Sequence, residues 1–493
     1  MNLCNAVHAV ARRAPDRPAI VEPARTTTFR ELADRISGLA AGLARRGIRP
    51  GDRVAIAIGN RREHVEAILA VTRLGAAALP IDVASTPEEI ADVADRFSPA
   101  ALLAERESDG WPAGRLLVAL EDGAFDALIA GGDADRAPAS DDPCFVMLSS
   151  GTTGKPKGAV VSHAAMAFRF LAQVVTFRFS AEDRYLNLMP LHTGGGRSFT
   201  LSHLYLGATV WLPGKFDAAA ADRIVREAGI TTACVVPTML HRIVAAGGGP
   251  WPTMRALISS GAALPAVDRD AVLARLTPNL YDYYASVEAG GVTTLGPGEH
   301  SAKPGSVGRP MWGTEVRLEG AVRPGEVGEI WYRSPGMISG YLGVPLGEAF
   351  SDGWYRTGDL GRFDEDGFLY LVGRSKEMII SGGVNVYPAE VEAALRELPS
   401  IADAAVLGVP DPDWGERVVA VVVAMPGAAL DAAAISEALR RRLAGPKRPK
   451  QIAIVDALPR NSGGKVDKAA LRALFADYPA RDGDAPAGFS SVQ

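Results

Sequence analysis

A short glycine-rich segment carries the residues best suited to chemistry on a phosphate group. Between Leu148 and Gly158 the chain has three glycines, four hydroxyl side chains and two lysines. Because glycine lacks a Cβ atom, backbone N–H groups can approach phosphate oxygens there, and the lysines and hydroxyls add charge and hydrogen bonds. We therefore predict a phosphate-binding loop. Its residues are Ser149, Ser150, Gly151, Thr152, Thr153, Gly154 and Lys155.

The spacing of this segment differs from that of the familiar phosphate loop. That loop has the form GxxxxGK[ST] and begins a helix, whereas Gly154-Lys155 is followed here by Pro156. Apolar runs at residues 145–148 and 159–161 flank the segment, which predicts a turn between two strands. A P-loop kinase or ATPase is therefore disfavoured, and a solvated surface turn stays an alternative.

Six further segments follow the glycine-rich segment along the chain. The order of these segments is typical of a known superfamily. Together they resemble the adenylate-forming enzymes: acyl- and aryl-CoA synthetases, adenylation domains of peptide synthetases and beetle luciferases. The matching segments are residues 189–195, 260–265, 284–288, 354–359, 373–392 and 458–465. The resemblance spans residues 28–465, which is almost the whole chain.

The resemblance implies that ATP and Mg²⁺ bind to particular residues. Tyr284 is expected to stack on adenine, Asp359 to accept hydrogen bonds from the ribose, and Arg374 to reach the ribose and phosphate. Glu288 is expected to hold Mg²⁺, which prefers carboxylate and phosphate oxygens. The further candidates are Gly261, Ala262, Ala263 and Ser286 for the nucleotide and Thr152 for the metal.

The resemblance also implies catalytic roles for Lys465, His192 and Glu288. A carboxylate that attacks the α-phosphate builds negative charge, and a mobile ammonium at Lys465 would stabilise it. His192 would stand where the acyl pocket meets the nucleotide. A lone histidine is more often structural, and a lysine on a glycine-rich loop is usually solvated, so these roles depend on the resemblance.

Binding of CoA and of the acid is implied in the same way. Gly382 and Gly383 would line a tunnel for the pantetheine arm, and Lys376 would be a hinge. Lys447, in the basic run Lys447-Arg448-Pro449-Lys450, would contact the phosphates of CoA, although a surface basic cluster explains this run equally well. The acyl-pocket candidates are His192, Arg197, Val236, Met239 and Ala285. Because this set is mostly apolar, a medium-length fatty acid and a substituted aromatic acid both fit.

Two residues depart from the superfamily pattern. Val287 replaces a threonine whose hydroxyl would contact the α-phosphate, and Ala285 replaces a glycine of the acyl pocket. The reaction that we expect is ATP-dependent activation of a small carboxylic acid followed by transfer to CoA. Transfer to an acyl carrier protein or an amine, and a nucleotide-binding protein without catalysis, stay open as alternatives.

The elements that must position these residues alternate between strand and helix. A capping box at Thr28 precedes a regular apolar stripe at helical spacing, Asn60, Ser162 and Asp431 can cap later helices, and Asp366-Gly367 can form a hairpin turn. Strand-like and helix-like segments alternate along the chain, which predicts an α/β fold with mainly parallel sheets. We expect a large N-terminal domain over residues 1–375, a small α+β domain over residues 376–480 and a disordered tail over residues 481–493. Residues 104–141 are predicted to be a variable surface connection.

Composition narrows the class of protein. The chain has 493 residues, a formal net charge of −5 and no basic block, so binding to nucleic acid is not expected. No signal peptide or long apolar run is visible, which favours a cytoplasmic protein without a membrane segment. The cysteines Cys4, Cys144 and Cys234 form no metal or redox motif and are predicted to be buried thiols. A homodimer stays open.

Overall fold

The computed structural model describes residues 3–129, 141–149, 157–343, 347–460 and 466–475. The chain divides into two compact units. The first contains the described residues of Met1–Val316 and Tyr332–Tyr355, and the second those of Arg317–Trp331 and Arg356–Gln493. The predicted hinge, Lys376, lies in the second unit, and the predicted tail lies outside the described residues.

The helices, numbered in chain order, have the following bounds. They are α1 (Leu3–Arg13), α2 (Phe29–Arg45), α3 (Arg62–Arg73), α4 (Pro87–Phe97), α5 (Ala124–Leu128), α6 (His163–Phe177), α7 (Gly194–Leu206), α8 (Ala218–Glu227), α9 (Pro237–Ala245), α10 (Ala266–Arg275), α11 (Pro388–Arg396), α12 (Ala432–Arg440) and α13 (Lys468–Phe475). Among these helices none combines the length and apolar character needed to cross a bilayer.

The strands are numbered in the same way. They are β1 (Pro18–Glu22), β2 (Arg25–Thr28), β3 (Arg53–Ala57), β4 (Ala77–Pro80), β5 (Ala101–Ala104), β6 (Leu116–Ala119), β7 (Pro143–Ser149), β8 (Lys157–Ser162), β9 (Arg184–Asn187), β10 (Thr209–Trp211), β11 (Thr232–Val235), β12 (Ala256–Ser260), β13 (Leu280–Ser286), β14 (Gly290–Leu295), β15 (Arg309–Pro310), β16 (Glu315–Glu319), β17 (Gly328–Arg333), β18 (Gly340–Tyr341), β19 (Phe350–Ser351), β20 (Trp354–Phe363), β21 (Leu369–Arg374), β22 (Ile379–Ser381), β23 (Val384–Val386), β24 (Ile401–Asp411), β25 (Gly415–Ala424) and β26 (Gln451–Val455).

Two mainly parallel sheets form the framework of the first unit. One has the order β15-β14-β13-β12-β11-β9-β10-β1-β2, with parallel pairing from β13 to β1. The other has the order β18-β8-β7-β4-β3-β5-β6, with parallel pairing from β7 to β6. Since their strands alternate with helices, the predicted α/β class is confirmed.

The second unit contains a hairpin and a smaller sheet. Strands β20 and β21 pair in antiparallel fashion around the predicted turn at Asp366-Gly367. The sheet has the order β23-β22-β25-β24, and β26 pairs in parallel with β25. Helices α11 and α12 share a buried apolar cluster with this sheet, so the predicted α+β character is confirmed.

Several local predictions are confirmed by helix caps and burial. Thr28 and Glu31 form the expected capping box at the start of α2, Ser162 caps α6, and Asp431 caps α12. The three cysteines, Cys4, Cys144 and Cys234, are buried free thiols. Burial raises the pKa of the Cys144 and Cys234 thiols, so neither is a ready nucleophile.

Two local predictions are wrong. Residues 104–141 are not simply a surface connection, because β6 extends the second sheet and Phe125 and Leu128 of α5 are buried. Asn60, expected to cap the next helix, does not do so: the capping residue of α3 is Arg61, whose side chain makes no capping hydrogen bond. The Asn60 side chain is used elsewhere, in the site described next.

Candidate functional site

The parallel order of the first sheet brings the predicted acyl and nucleotide residues to one edge. Strands β9, β11, β12 and β13 are neighbours, so their carboxyl ends lie side by side. His192 follows β9, Val236 and Met239 follow β11, Gly261 follows β12, and Glu288 follows β13. Ligands of open α/β sheets bind at this kind of edge. The fold therefore gathers residues that are far apart in the sequence.

Side chains from the second sheet contact the same loop. Asn60, after β3, donates from its amide to the Met189 carbonyl at 2.9 Å and accepts from the Leu191 N–H at 2.8 Å. Asp82, after β4, places a carboxylate oxygen 3.7 Å from Nε2 of His192. The carboxyl edges of both sheets thus meet at the His192 loop.

The strands on both sides of the glycine-rich segment are antiparallel neighbours, as predicted. Ser149, the last residue of β7, is buried and pairs with Lys157, the first residue of β8. Ser150, Gly151, Thr152, Thr153, Gly154 and Lys155 lie outside the described residues, and so does Lys465. Their predicted roles stay predictions.

His192 is held as a neutral imidazole. Burial lowers its pKa, the nearby Asp82 carboxylate acts in the opposite direction, and the Arg197 guanidinium lowers it further. At neutral pH the ring therefore offers one hydrogen-bond donor and one acceptor and no positive charge.

Arg197 lies behind the His192 loop on α7 and is 2% exposed. Its Nη1 donates to the carbonyls of His192 at 2.8 Å and Leu191 at 3.4 Å, and its guanidinium lies 4.9 Å from the centre of the Phe145 ring. Its Nε has no partner among the described residues. Burial lowers the pKa of Arg197 to about 10, so its guanidinium stays charged at neutral pH. Its hydrogen bonds hold the His192 loop in place from the protein interior.

The end of β13 presents two faces. Ala285 and Val287 pack against the large apolar core of the first unit, whereas Tyr284 packs against a smaller cluster that contains Tyr332 and Tyr355. Ser286 therefore shares the Tyr284 face, as the alternation of a strand requires. Its hydroxyl accepts the N–H of Ala289 at 3.0 Å and keeps a proton to donate.

Glu288 presents a carboxylate at this edge. Its Oε1 accepts a hydrogen bond from the Tyr341 hydroxyl at 3.0 Å. No group of three or more His, Cys, Asp or Glu side chains in the described ranges could enclose a metal ion. A single carboxylate supplemented by phosphate oxygens is a donor set that Mg²⁺ accepts, so Glu288 fits its predicted role.

The predicted ribose-binding residues contact each other in the second unit. Nε of Arg374 donates to Oδ1 of Asp359 at 2.9 Å, and the two residues are paired across β20 and β21. The Asp359 N–H donates to the Thr357 hydroxyl at 3.0 Å, which in turn donates to the Ile330 carbonyl at 2.8 Å. This network holds the Asp359 carboxylate in place.

The paired glycines predicted to contact pantetheine form the turn between β22 and β23. Gly382 and Gly383 have φ angles of +58° and +77°, a region that side chains with a Cβ rarely adopt. A Cβ atom at Gly382 would lie 2.9 Å from the Trp414 ring. Close packing against Trp414 thus also requires glycine at that position.

A cavity of about 380 Å³ lies beside Trp414. It is lined by Trp414, Ser436, Arg440, Gly445, Pro446, Arg448, Pro449 and Lys450. This lining contains three cations and no carboxylate, and Nε of Arg448 has no partner among the described residues. The Lys450 ammonium lies 4.2 Å from the centre of the Trp414 ring. The cavity therefore suits an anion that carries a flat group.

Lys447 is paired with a carboxylate, and its predicted contact with CoA stays a prediction. Its ammonium donates to both carboxylate oxygens of Glu390, at 2.7 and 2.9 Å, and it is not part of the cavity lining. Arg448 and Lys450, its neighbours in the same basic run, line the cavity instead. The sequence therefore predicts a basic segment at residues 447–450 but does not show which of its cations line the cavity.

Several residues of the site carry no signal in the sequence that could have identified them. Tyr341 lies 53 residues after Glu288, and Asp82 and Asn60 precede His192 by more than a hundred positions. Trp414 is an ordinary tryptophan in an Asp-rich turn. Each acquires its place through strand order, which local spacing does not reveal.

Comparison with protein-family models and curated proteins gives a consistent result. A family model described as AMP-binding enzyme matches residues 7–342, and one described as AMP-binding enzyme C-terminal domain matches residues 390–465. The chain is 36% identical over 484 residues to a feruloyl-CoA synthase from Amycolatopsis sp, covering 94% of this chain and 97% of that protein. It is 35% identical over 511 residues to indoleacetate–CoA ligase from Aromatoleum aromaticum, covering 97% and 98%.

Solved structures agree with these relatives. ATP-bound MatB from Rhodopseudomonas palustris has a TM-score of 0.89 and 31% identity, covering 97% of this chain and 99% of that one. The o-succinylbenzoate CoA synthetase MenE from Bacillus subtilis, in complex with the acyl-adenylate intermediate OSB-AMP, has a TM-score of 0.87 and 28% identity, covering 97% and 98%.

Proposed function

The chain belongs to the family of AMP-binding enzymes, and we propose that the acid it activates carries an aromatic or other ring. The enzyme is an AMP-forming acid–thiol ligase that uses ATP, Mg²⁺ and CoA. A carboxylic acid is first joined to AMP with release of pyrophosphate, and the acyl group then passes to the thiol of CoA.

Neither half-reaction requires a side-chain nucleophile. In the first, a carboxylate oxygen bonds to the α-phosphorus while the bond to pyrophosphate breaks. In the second, the CoA sulfur bonds to the acyl carbon while the bond to AMP breaks, and the thiol proton is released. Because a carboxylate is already ionised at neutral pH, the protein contributes positioning and stabilisation of charge.

In our proposal, the residues at the carboxyl edge of the first unit and the predicted residues further along the chain each take part of this work. Tyr284 packs on adenine, and the Ser286 hydroxyl donates a hydrogen bond to a phosphate oxygen. Glu288 holds Mg²⁺. The bound cation neutralises phosphate charge. Neutral His192 faces the reacting carboxylate. Asp359, held by Arg374, accepts from the ribose, and Lys465 supplies the mobile positive charge.

The cavity beside Trp414 receives the nucleotide end of CoA in this proposal. Arg448 and Lys450 offer charge to its phosphates, and Trp414 offers a flat surface to its base. The Gly382-Gly383 turn packs against the same tryptophan. Because glycine has no side chain, the pantetheine arm can lie directly against the backbone of this turn.

The class of acid is inferred from the relatives. Three relatives are named as ligases or synthases of ferulate, indoleacetate and 2-succinylbenzoate, and each of these acids contains a ring. The residues proposed to surround the acid agree, since Val236, Met239 and Ala285 are apolar and partly buried. A medium-length fatty acid would meet the same apolar surface, so the panel of acids below includes both classes.

The experiment that tests this proposal is pyrophosphate release from ATP·Mg²⁺ across aromatic, arylalkanoic, aliphatic and dicarboxylic acids, with and without CoA. We expect release that depends on a ring-bearing acid and a thioester that forms when CoA is added. Preference for straight-chain acids would contradict the proposed acid class. Pyrophosphate release without thioester formation would indicate that the acceptor of the acyl group is a carrier protein or an amine and not CoA.

Two further points belong to the proposal. We place the enzyme in the cytoplasm, where ATP and CoA are available together. Association into a homodimer is a prediction that sedimentation of the purified chain would test, with a single species of 51.8 kDa as the contrary result.

A further inference from the structure

One short segment connects the Glu288 turn to the strand that follows the glycine-rich stretch. The Ile338 N–H donates to the Glu288 carbonyl at 3.0 Å, and the Ser339 N–H donates to the Val160 carbonyl at 2.8 Å. The Leu342 N–H donates to the Gly158 carbonyl at 2.8 Å. Residues 338–342 therefore fix the spacing between Glu288 and β8.

The side chain of Tyr341, in the middle of this segment, contacts both partners. Its hydroxyl donates to Oε1 of Glu288 at 3.0 Å, and the Lys157 ammonium lies 5.2 Å from the centre of its ring. A tyrosine hydroxyl keeps its proton at physiological pH, so it stays a hydrogen-bond donor to this carboxylate.

We propose that Tyr341 is a positioning residue for the divalent cation that accompanies ATP. The inference rests on the proposed role of Glu288. A carboxylate has two oxygens, and the hydrogen bond from Tyr341 engages Oε1, so Oε2 would be the oxygen available to the cation. Partners that hold a metal-binding carboxylate in one orientation increase metal affinity because that orientation need not be selected on binding.

The backbone below Glu288 is fixed separately by Arg169. This buried side chain donates from Nη2 to the carbonyls of Val287 at 3.1 Å and Glu288 at 3.3 Å, and from Nε to the Gly336 carbonyl at 2.7 Å. The turn is therefore held without the Tyr341 hydroxyl. A variant that lacks this hydroxyl is expected to keep the fold and lose the orientation of the carboxylate.

The test is equilibrium binding of Mn²⁺, measured by electron paramagnetic resonance with an ATP analogue that cannot be cleaved between the α- and β-phosphates. Tyr341→Phe removes the hydroxyl and keeps the ring next to Lys157. We expect the Mn²⁺ dissociation constant to rise about tenfold. The matched control is Tyr370→Phe, which removes a tyrosine–carboxylate contact with Asp364 elsewhere and should leave Mn²⁺ binding unchanged.

Two results would overturn the inference, and they have different meanings. If Tyr341→Phe binds Mn²⁺ as the wild type does, while the wild type releases pyrophosphate with an acid, Tyr341 has no positioning role and the proposed function stands. If the wild type binds no Mn²⁺ with the analogue and no acid provokes release, the proposed function fails as well.

Discussion

Val287 stands between Ser286 and Glu288, two polar residues of the proposed nucleotide site. Its side chain packs against the edge of the apolar core and is partly exposed. A threonine at this position would keep the shape of the side chain and add one hydroxyl. That hydroxyl would lie on the same turn that positions Glu288.

We expect Val287→Thr to accelerate adenylate formation by about tenfold, because a hydrogen bond to a charged group contributes roughly 1.5–3 kcal/mol. The measurement is the rate of pyrophosphate release at saturating acid. Val287→Ala, which removes methyl groups without adding a hydroxyl, is the control and should give no increase. A Val287→Thr rate equal to that of the wild type would mean that other donors, such as Ser286, already satisfy the phosphate.

A second residue-scale prediction concerns Asp282 on β13, whose pKa is raised to about 6, mainly by burial, with Arg269 opposing the shift. Burial also lowers the pKa of His300, 3.9 Å away, so that ring brings no charge at neutral pH. Since the folded pKa exceeds the unfolded one, the stability from Asp282 is complete below about pH 4 and is lost as pH rises through about 6.

Asp282→Asn is therefore expected to raise the free energy of unfolding by about 1–3 kcal/mol at pH 7.5 and to give little gain near pH 4. Urea denaturation at both pH values measures this. Glu437→Gln, which alters an exposed carboxylate on α12, is the control and should show no such pH dependence. An equal gain at both pH values would show that removal of charge is not the cause.

The sequence predicts which residues carry chemistry better than it predicts what orients them. Glu288 and Asp359 belong to compact motifs, so the sequence alone singles them out, and their predicted roles stay predictions. Tyr341 and Asp82 become neighbours of the site through strand pairing across long stretches of chain. A pairwise contact of this kind has no local pattern, so a single sequence cannot reveal it.

At the scale of elements, the regions with regular periodicity were predictable and the short ones were not. Helix α2 has a capping box and a regular apolar stripe, and both are confirmed. Helix α5 has five residues, too few for a periodic signal, and the region around it was predicted to be a surface connection. The buried side of α5 packs against glycines of α2. From the sequence alone, a glycine inside a helix indicates only a weaker helix.

That contact gives an element-scale prediction. A Cβ atom at Gly42 would lie 2.2 Å from the Leu128 carbonyl oxygen, so α2 and α5 can approach each other only without it. Although alanine favours a helix by about 1 kcal/mol relative to glycine, we expect Gly42→Ala to lower the free energy of unfolding by roughly 1–3 kcal/mol through overpacking. Thermal and urea denaturation measure the change.

The matched control is Gly194→Ala in α7, where no heavy atom lies within 4 Å of the added Cβ. This variant is expected to leave the free energy of unfolding nearly unchanged. If Gly42→Ala were as stable as Gly194→Ala, α5 would have to move away from α2 at little cost. The close packing would then not contribute to stability.

At the scale of the whole molecule, one enzyme must stabilise two different transition states. The first half-reaction gathers charge on the α-phosphate, whereas the second requires a bulky thiol substrate to be held by its nucleotide. Lys465 and Arg448 are close together in the sequence, yet we propose that they serve different half-reactions. If so, removing each one should affect one half-reaction and spare the other.

We expect Lys465→Ala to slow pyrophosphate release by roughly a hundredfold or more, as loss of a group that stabilises transition-state charge does. Thioester formation from synthetic acyl-adenylate should be spared. Arg448→Ala should show the reverse pattern, with normal pyrophosphate release and about a tenfold higher KM for CoA, because a charge-assisted contact to phosphate is lost. Arg442→Ala, which removes an exposed cation paired with Glu397, is the control for both assays.

Pantetheine, which has the thiol but lacks the nucleotide, separates binding in the cavity from a general defect of the second unit. If Arg448 holds CoA by its phosphates, Arg448→Ala should impair the reaction with CoA and leave the reaction with pantetheine at the wild-type rate. Equal losses with both thiols would refute the nucleotide role of the cavity. Equal losses in both half-reactions for Lys465→Ala would likewise refute a division of labour, because a residue that acts on the first transition state alone cannot slow a reaction that begins from the adenylate.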